Sequence, residues 1–152
     1  MALAVEEHLM ELTIEQALQQ GVAAHKAGKI EEADCLYRAI LQAQPLHPDA
    51  NHNLGVLAVS INKADAALPL FKTALEANPK IEQYWLSYVD ALIKVKQFDY
   101  ARHVLELGKS QGLGRDKADA IESQISTIQA NEPRLVLQKK SLTVSEKRKK
   151  LS

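Results

Sequence analysis

The sequence of 152 residues has one cysteine, five prolines and six glycines, and only 5% of its residues are aromatic. Cys35 has no second cysteine with which to form an internal disulfide, which favours a reducing compartment such as the cytoplasm. The sequence has no run of 18 or more apolar residues, so it predicts no membrane span. Its start, MALAVEEHLMELTIEQ, lacks the basic region that opens a secretory signal. Alanine and leucine dominate the composition, which favours helix over strand.

Charge is balanced over the whole sequence but is unevenly distributed. The net charge is zero, yet residues 132–152 carry seven basic and two acidic residues, which gives this segment a net charge of +5. Residues 1–131 therefore carry −5. The sequence predicts an acidic folded part joined to a basic tail or linker at residues 132–152. Simple solvation explains such a tail, and contact with nucleic acid or acidic lipid is the sharper alternative.

Several residue types recur with a fixed spacing of 34 along the chain. Such a period indicates an internal repeat. Four positions of the repeat show this spacing. Two of them hold small residues, one holds an aromatic residue or leucine, and one holds proline. The matching sets are Gly21 and Gly55; Ala33, Ala67 and Ala101; Tyr37, Phe71 and Leu105; and Pro45 and Pro79.

Each repeat has the pattern of two helices joined by a short turn. Gly28 and Asn62 occupy the same place after the first helix, and both residue types accept the left-handed backbone of a helix end. The small residues would let the two helices of a unit approach closely, while Phe71 would fill the gap to the neighbouring unit. Pro69 lies inside the second helix of unit two, so that helix is expected either to begin late or to bend.

This pattern resembles the tetratricopeptide repeat over about residues 14–115. The residues that carry the resemblance are Gly21, Gly28, Ala33, Tyr37 and Pro45; Leu54, Gly55, Ala67, Phe71, Ala74 and Pro79; and Trp85 and Ala101. The resemblance implies an all-α fold, a tetratricopeptide-type α-solenoid of three helix–turn–helix repeats. The units are expected at residues 13–45, 46–79 and 80–114, preceded by an N-terminal extension at residues 1–12.

A further helix is predicted at residues 115–131, where it would cap the third repeat. Its apolar residues Ala118, Ile121, Ile125 and Ile128 follow helical spacing. Asp116 suits the N-cap position, and the segment before Pro133 is expected to end the helix.

The sequence offers no convincing site for chemistry. His47 and His52 lack a third ligand for a metal nearby, and the five histidines fit solvated positions. Cys35 has no histidine at helical spacing. The string GLGRDK follows no strand, so a helix stop explains it better than a phosphate loop. Tyr84 and Trp85 fit repeat packing better than base stacking. We therefore expect a protein that is not an enzyme and needs no cofactor, and nucleic acid is not expected as a partner apart from the basic tail.

A partner is expected in the concave groove that the first helices of stacked hairpins line. By the phase of the repeat, the groove residues are Gln19, Val22, Lys26, His52, Asn53, Val56, Gln83, Leu86, Ser87 and Asp90. Two known sub-types of the family allow the expected ligand of this groove to be tested against its residues. The chaperone-adaptor type holds a terminal carboxylate, and of its places only Asn53 matches here, so that role is rejected. The array of O-linked N-acetylglucosamine transferases bonds the peptide backbone with asparagines, at places that here hold Gln19, Asn53 and Ser87.

Three functions follow from these observations. The first is a cytoplasmic scaffold that binds a protein or peptide in the groove. The second is the substrate-recognition arm of a larger bacterial glycosyltransferase, for which the resemblance leaves room. The third is self-assembly into a homo-oligomer, in which one array fills the groove of another.

Overall fold

The computed structural model describes the backbone of residues 12–150 and the side chains of residues 12–132. Apart from Leu12, the predicted N-terminal extension lies outside the described residues. All regular elements in the described part are helices, which confirms the predicted all-α class. The helices are α1 (Ile14–Lys26), α2 (Ile30–Ala43), α3 (Pro48–Ser60), α4 (Ala64–Ala77), α5 (Glu82–Lys94), α6 (Phe98–Lys109) and α7 (Arg115–Lys150). The chain divides after Gly114 into two compact units.

Within the first unit, six helices form three hairpins, α1–α2, α3–α4 and α5–α6, and each helix packs against the next along the chain. The turn inside each hairpin is the same. It places one residue at a positive φ, namely Gly28 at 76°, Asn62 at 62° and Lys96 at 62°. The amide after each of these residues bonds to a carbonyl five residues back at 2.9 Å, in the pairs Lys29–Ala24, Lys63–Ala58 and Gln97–Leu92. This is the Schellman ending of a helix, and it confirms the turn predicted at Gly28 and Asn62.

The first helices of the first two hairpins begin at side-chain caps. Thr13 accepts from the Gln16 amide, and the Gln16 side chain accepts from the Thr13 amide, both at 3.1 Å, which makes a capping box. His47 caps α3 by accepting from the Ala50 amide at 3.1 Å, with Pro48 in the first turn. These caps fix where each hairpin starts.

Glycine and an aromatic ring occupy one shared space inside each of the first two hairpins. A Cβ atom on Gly21 would lie 2.6 Å from the Tyr37 ring, and a Cβ on Gly55 would lie 2.5 Å from the Phe71 ring. Gly55 is therefore small to admit the ring of Phe71 from the same hairpin. The expectation that Phe71 fills the gap between two units is incomplete, since its ring sits first of all on Gly55.

The third hairpin fills the equivalent space differently. Val89 stands where the other hairpins have glycine, and Leu105 stands where they have an aromatic ring. Both side chains are buried. A larger residue on the first helix is thus matched by a smaller one on the second, and such a volume-conserving exchange keeps a core well packed.

Pro69 does not delay the start of its helix. Helix α4 runs without interruption from Ala64 to Ala77 with Pro69 inside it. Because proline has no N–H, the carbonyl of Asp65 cannot accept its usual helical bond from residue 69. Packing of Ala67, Phe71, Ala74 and Leu75, all buried, stabilises the helix despite this loss.

Helix α7 differs from the sequence expectation at both ends. It begins at Arg115, so Asp116 lies in its first turn and is not the cap; a carboxylate there still interacts favourably with the helix dipole. The helix continues to Lys150 and does not end before Pro133, so the expected boundary between a helix and a tail at residue 131 is wrong for the backbone. One proline removes one hydrogen bond, and the strong helix formers after it outweigh that loss.

Candidate functional site

The first helices of the three hairpins lie side by side, because α3 packs against both α1 and α5. The ten residues predicted to line the groove all lie on these helices, and we call them the first-helix face. Three belong to α1, three to α3 and four to α5: Gln19, Val22 and Lys26; His52, Asn53 and Val56; and Gln83, Leu86, Ser87 and Asp90. Whether this face binds a partner remains a prediction.

The structure connects four members of this face by hydrogen bonds. The His52 Nε2 atom lies 2.8 Å from the Ser87 Oγ atom, which joins α3 to α5. On the other side of the same ring, Nδ1 lies 3.4 Å from the Asn53 Oδ1 atom. Gln83 donates from Nε2 to Ser87 Oγ at 3.3 Å. A continuous chain of polar atoms therefore runs from Gln83 on α5 to Asn53 on α3.

The remaining members are not joined to this chain. Within the described part of the protein, Gln19 and Lys26 form no hydrogen bond or ion pair with other members of the face. Asp90 pairs with Lys94 on its own helix, with 2.9 Å between Nζ and Oδ2. Val22, Val56 and Leu86 are partly exposed.

His52 is buried, with 9% of its surface exposed. Its ring lies 4.8 Å from the Tyr84 ring and 5.6 Å from the Phe71 ring, measured between centroids. The interpretation of this histidine as solvated is therefore wrong. Its neighbours come from α4 and α5, so the side chain belongs to the packing of the second hairpin on the third.

Titration of the buried groups follows from their surroundings. Burial lowers the pKa of His52, although the hydrogen bond to Asn53 and the carboxylate of Asp49 act in the opposite direction. Burial, followed by the hydrogen bond to Asp49, raises the pKa of Tyr84. At neutral pH the imidazole and the phenol are therefore both neutral.

Sequence reasoning missed the roles of Asp49 and Tyr84. The Tyr84 hydroxyl donates to the Asp49 Oδ1 atom, which gives a second polar contact between α3 and α5. Asp49 and Tyr84 are 35 residues apart, and so are His52 and Ser87. The sequence signal for both contacts was a pair of polar residues 35 apart, which is one repeat of 34 plus one residue.

A separate cavity of about 750 Å³ lies between the first and second hairpins. None of the first-helix face residues lines it. Its walls come from α2, the end of α3 and the start of α4, and include Ile30, Cys35, Arg38, Ile61 and Pro69. Cys35 is exposed, and Asp34 in the wall pairs with Arg38 at 2.8 Å.

The described residues offer no cluster for metal chemistry. They contain no group of three or more histidine, cysteine or acidic side chains that could hold a metal ion. Within the same part of the chain, no helix is long and apolar enough to cross a membrane. Trp85 and Tyr84 are buried, and the Trp85 indole donates to the Pro79 carbonyl at 2.7 Å, so the packing interpretation of both residues is confirmed.

Comparison with known proteins agrees with the fold. Residues 18–80 match the family model of the tetratricopeptide repeat. No curated protein matches the sequence significantly. The first tetratricopeptide domain of Spaghetti (RPAP3), solved with the HSP90 peptide SRMEEVD, is similar with a TM-score of 0.68 and 19% identity, over 77% of this chain and 93% of that chain.

Two further solved structures resemble the chain. The Sgt2 tetratricopeptide domain from Aspergillus fumigatus gives a TM-score of 0.67 and 18% identity, over 80% of this chain and 82% of that chain. MamA MSR-1 gives a TM-score of 0.57 and 27% identity, over 64% of this chain and 56% of that chain. Residues 18–80 thus match the tetratricopeptide-repeat model, and the structural similarity shows the fold of a tetratricopeptide-type α-solenoid.

Proposed function

We propose that the protein is an interaction scaffold that binds an extended peptide on its first-helix face. The observation that carries the proposal is the polar chain across α3 and α5, flanked by partly exposed apolar residues. Val22, Val56 and Leu86 would contact apolar side chains of the peptide, while Asn53, Gln83 and Ser87 would bond to its main chain. Uncharged hydrogen-bonding groups of this kind suit peptide amides, which offer donors and acceptors whatever the side-chain sequence.

The chemistry of the face argues against recognition of a terminal carboxylate. The place equivalent to one family lysine holds Leu18, which packs against two apolar clusters shared by the first and second hairpins. The equivalents of other carboxylate-binding residues are Val22, Gln83 and Ser87, which are uncharged. Although the Spaghetti domain holds the HSP90 peptide SRMEEVD, a bound carboxylate would find no cation at these equivalent places, so the proposed ligand is an internal peptide segment.

To test this, the purified full-length protein is used to select binding peptides from a displayed random library. The affinity of each selected peptide is then measured. The variant Asn53→Ala/Leu86→Ala should bind at least about tenfold more weakly, which corresponds to about 1.4 kcal/mol. Lys72→Ala, an exposed change on α4, is the matched control and should bind like the wild type. Amidating the C-terminus of a selected peptide should leave its affinity unchanged.

Equal binding by the double variant would place the site elsewhere and refute the proposal. A strong loss of affinity on amidation would show carboxylate recognition and would refute the choice of an internal segment. The peptide SRMEEVD serves as a negative probe in the same assay.

The finer organisation is part of the same proposal. Three repeats at residues 13–45, 46–79 and 80–114 would be followed by a capping segment at the start of α7. Support for the cap comes from the phase of the repeat, since Ala118 and Ile125 follow Tyr84 and Ala91 by 34 residues in the sequence. A cytoplasmic location is consistent with the unpaired Cys35.

Each of the two alternative functions has its own test. If the chain is the recognition arm of a bacterial glycosyltransferase, a longer reading frame would encode a nucleotide-sugar domain after residue 152. If it self-assembles, light scattering over a concentration series would detect oligomers, and removal of residues 133–152 would show whether that segment fills the groove.

A further inference from the structure

The hydrogen bonds around His52 have only one arrangement in which every polar atom is satisfied as placed. The Asn53 Oδ1 atom can only accept, so the nitrogen facing it, Nδ1, must carry the proton. A neutral imidazole then has a bare Nε2, which accepts from the Ser87 hydroxyl. The Ser87 oxygen in turn accepts from the Gln83 Nε2 atom. This chain of hydrogen bonds, which we call the relay, therefore has a direction, with each group donating to the next from Gln83 through Ser87 and His52 to Asn53.

We propose that His52 is a positioning residue that sets the hydrogen-bond polarity of the first-helix face. Each end of the relay has one polar group left over. At Asn53 it is the amide Nδ2, a donor, and at Gln83 it is the Oε1 atom, an acceptor. Both residues lie at least partly exposed, while the linking ring is buried. The face thus offers a donor on α3 and an acceptor on α5.

The ligand class that fits these two groups is the main chain of an extended peptide. A peptide carbonyl would accept from Asn53, and a peptide N–H further along the same strand would donate to Gln83. The opposite assignment, with a peptide N–H at Asn53 Nδ2 and a peptide carbonyl at Gln83 Oε1, would set donor against donor and acceptor against acceptor. This inference deepens the proposed function and rests on it, because it assigns which main-chain group of the bound peptide faces each of the two residues.

The buried position of His52 gives the relay its rigidity. The rings of Phe71 and Tyr84 lie 5.6 and 4.8 Å from the imidazole between centroids, so packing from two other helices restrains the ring. The other titratable group on its own helix is Asp49, which is already bonded to the Tyr84 hydroxyl from α5. The imidazole is therefore left to bond with Ser87 and Asn53.

The test is nuclear magnetic resonance of the ring nitrogens in the uniformly ¹⁵N-labelled full-length protein at neutral pH. Protonated and bare imidazole nitrogens resonate far apart, so the spectrum reports the tautomer directly. His52 should carry its proton on Nδ1. In Ser87→Ala, the donor to Nε2 is lost and the Nδ1-protonated population should fall. The exposed His103 is an internal reference, and its pattern should not change between the two proteins.

A proton on Nε2 in the wild type would reverse the relay and overturn the inference, and so would an unchanged tautomer in Ser87→Ala. If that variant does not fold, as judged from its backbone amide spectrum, Asn53→Ala removes the acceptor at the other end and should also reduce the Nδ1-protonated population. These spectra need no ligand, so they separate failure of the relay from failure of peptide binding.

The functional arm uses the library-selected peptides. Asn53→Asp keeps the shape of the side chain but replaces the outward donor with an acceptor, and it should weaken binding at least about tenfold. Unchanged affinity would show that Asn53 presents no donor to the ligand. A relay that passes the spectroscopic test while no peptide is ever selected would refute the proposed function alone.

Discussion

The joint between the first and second hairpins is apolar, whereas the joint between the second and third hairpins is polar. Leu18 on α1 packs against apolar clusters that include Ala17 and Ala50. One repeat later, the equivalent of Leu18 is His52 and the equivalent of Ala50 is Tyr84. These two residues bond to Ser87 and Asp49.

This difference shows that one helical geometry accepts two kinds of joint. Apolar contact stabilises stacking without specifying direction, while hydrogen bonds are directional and must all be satisfied when buried. A fold built only for stability would have no need of the second kind. The polar joint is therefore the more informative place to look for function, and it lies on the predicted binding face.

The largest predicted effect concerns the interior of the hairpins, where the first two should behave alike. Gly21→Val and Gly55→Val each force a side chain into a buried aromatic ring, and each should lower the free energy of unfolding by about 3 kcal/mol. Urea unfolding followed by circular dichroism measures this. Gly28→Ala is the control: it has nothing within 4 Å of the new Cβ, and only its positive φ should cost about 1 kcal/mol.

A cost below about 1 kcal/mol for either valine variant would contradict the ring-on-glycine packing. Unequal losses of stability in the two valine variants would mean that the two hairpins differ in their interiors as well as at their joints.

The second prediction concerns pH and should separate the two joints. Burial lowers the pKa of His52 in the folded protein, so the unfolded chain takes up the proton first as the pH falls below about 6.5. The free energy of unfolding is therefore fully retained above that pH and decreases on acidification. The slope from this residue is at most about 1.4 kcal/mol per pH unit, less any screening by water and Asp49.

His52→Leu gives the polar joint the residue that the apolar joint already has, and should remove this part of the pH dependence. Unfolding curves at pH 7.5 and 5.5 for both proteins provide the measurement. The other histidines are present in both and cancel in the difference. Parallel pH profiles for the two proteins would show that His52 titrates as it does in the unfolded chain.

The smallest predicted effect is a gain. Tyr37 and Phe71 occupy the same place in successive hairpins, but the Tyr37 hydroxyl is buried and has no hydrogen-bond partner among the described residues. Burial also raises the pKa of this phenol. Tyr37→Phe should raise the free energy of unfolding by up to about 1 kcal/mol, because it removes a buried polar group that forms no hydrogen bond. A loss of stability on urea unfolding would show that the hydroxyl has a partner after all.

The hairpins are well predicted from the sequence because their determinants are local. Gly28 and Asn62 each indicate a turn by residue type alone, since few residue types accept a positive φ. The third turn, at Lys96, has no such signal, because lysine has no preference for that conformation and takes it only where the stacking of helices imposes it. Pro133 misleads because the helix formers around it outweigh one missing hydrogen bond.

The candidate site is predicted only in part. Repeat phase assigns all ten face residues to the first helices, because helical spacing is enough for that. It does not indicate that His52 is buried, since an amphipathic pattern cannot distinguish a polar residue facing water from one facing polar partners. Only the distant contacts with Ser87 and Tyr84 make that distinction.

Trp85 is the single tryptophan of the chain, and its buried indole belongs to α5. Its fluorescence therefore reports on the third hairpin and on the turn at Pro79 that precedes it. Arrays of this type can open one segment at a time. If fluorescence emission and ellipticity change at different urea concentrations, parts of the array unfold independently. The midpoint of the tryptophan signal then reports the stability of the end that carries the polar joint.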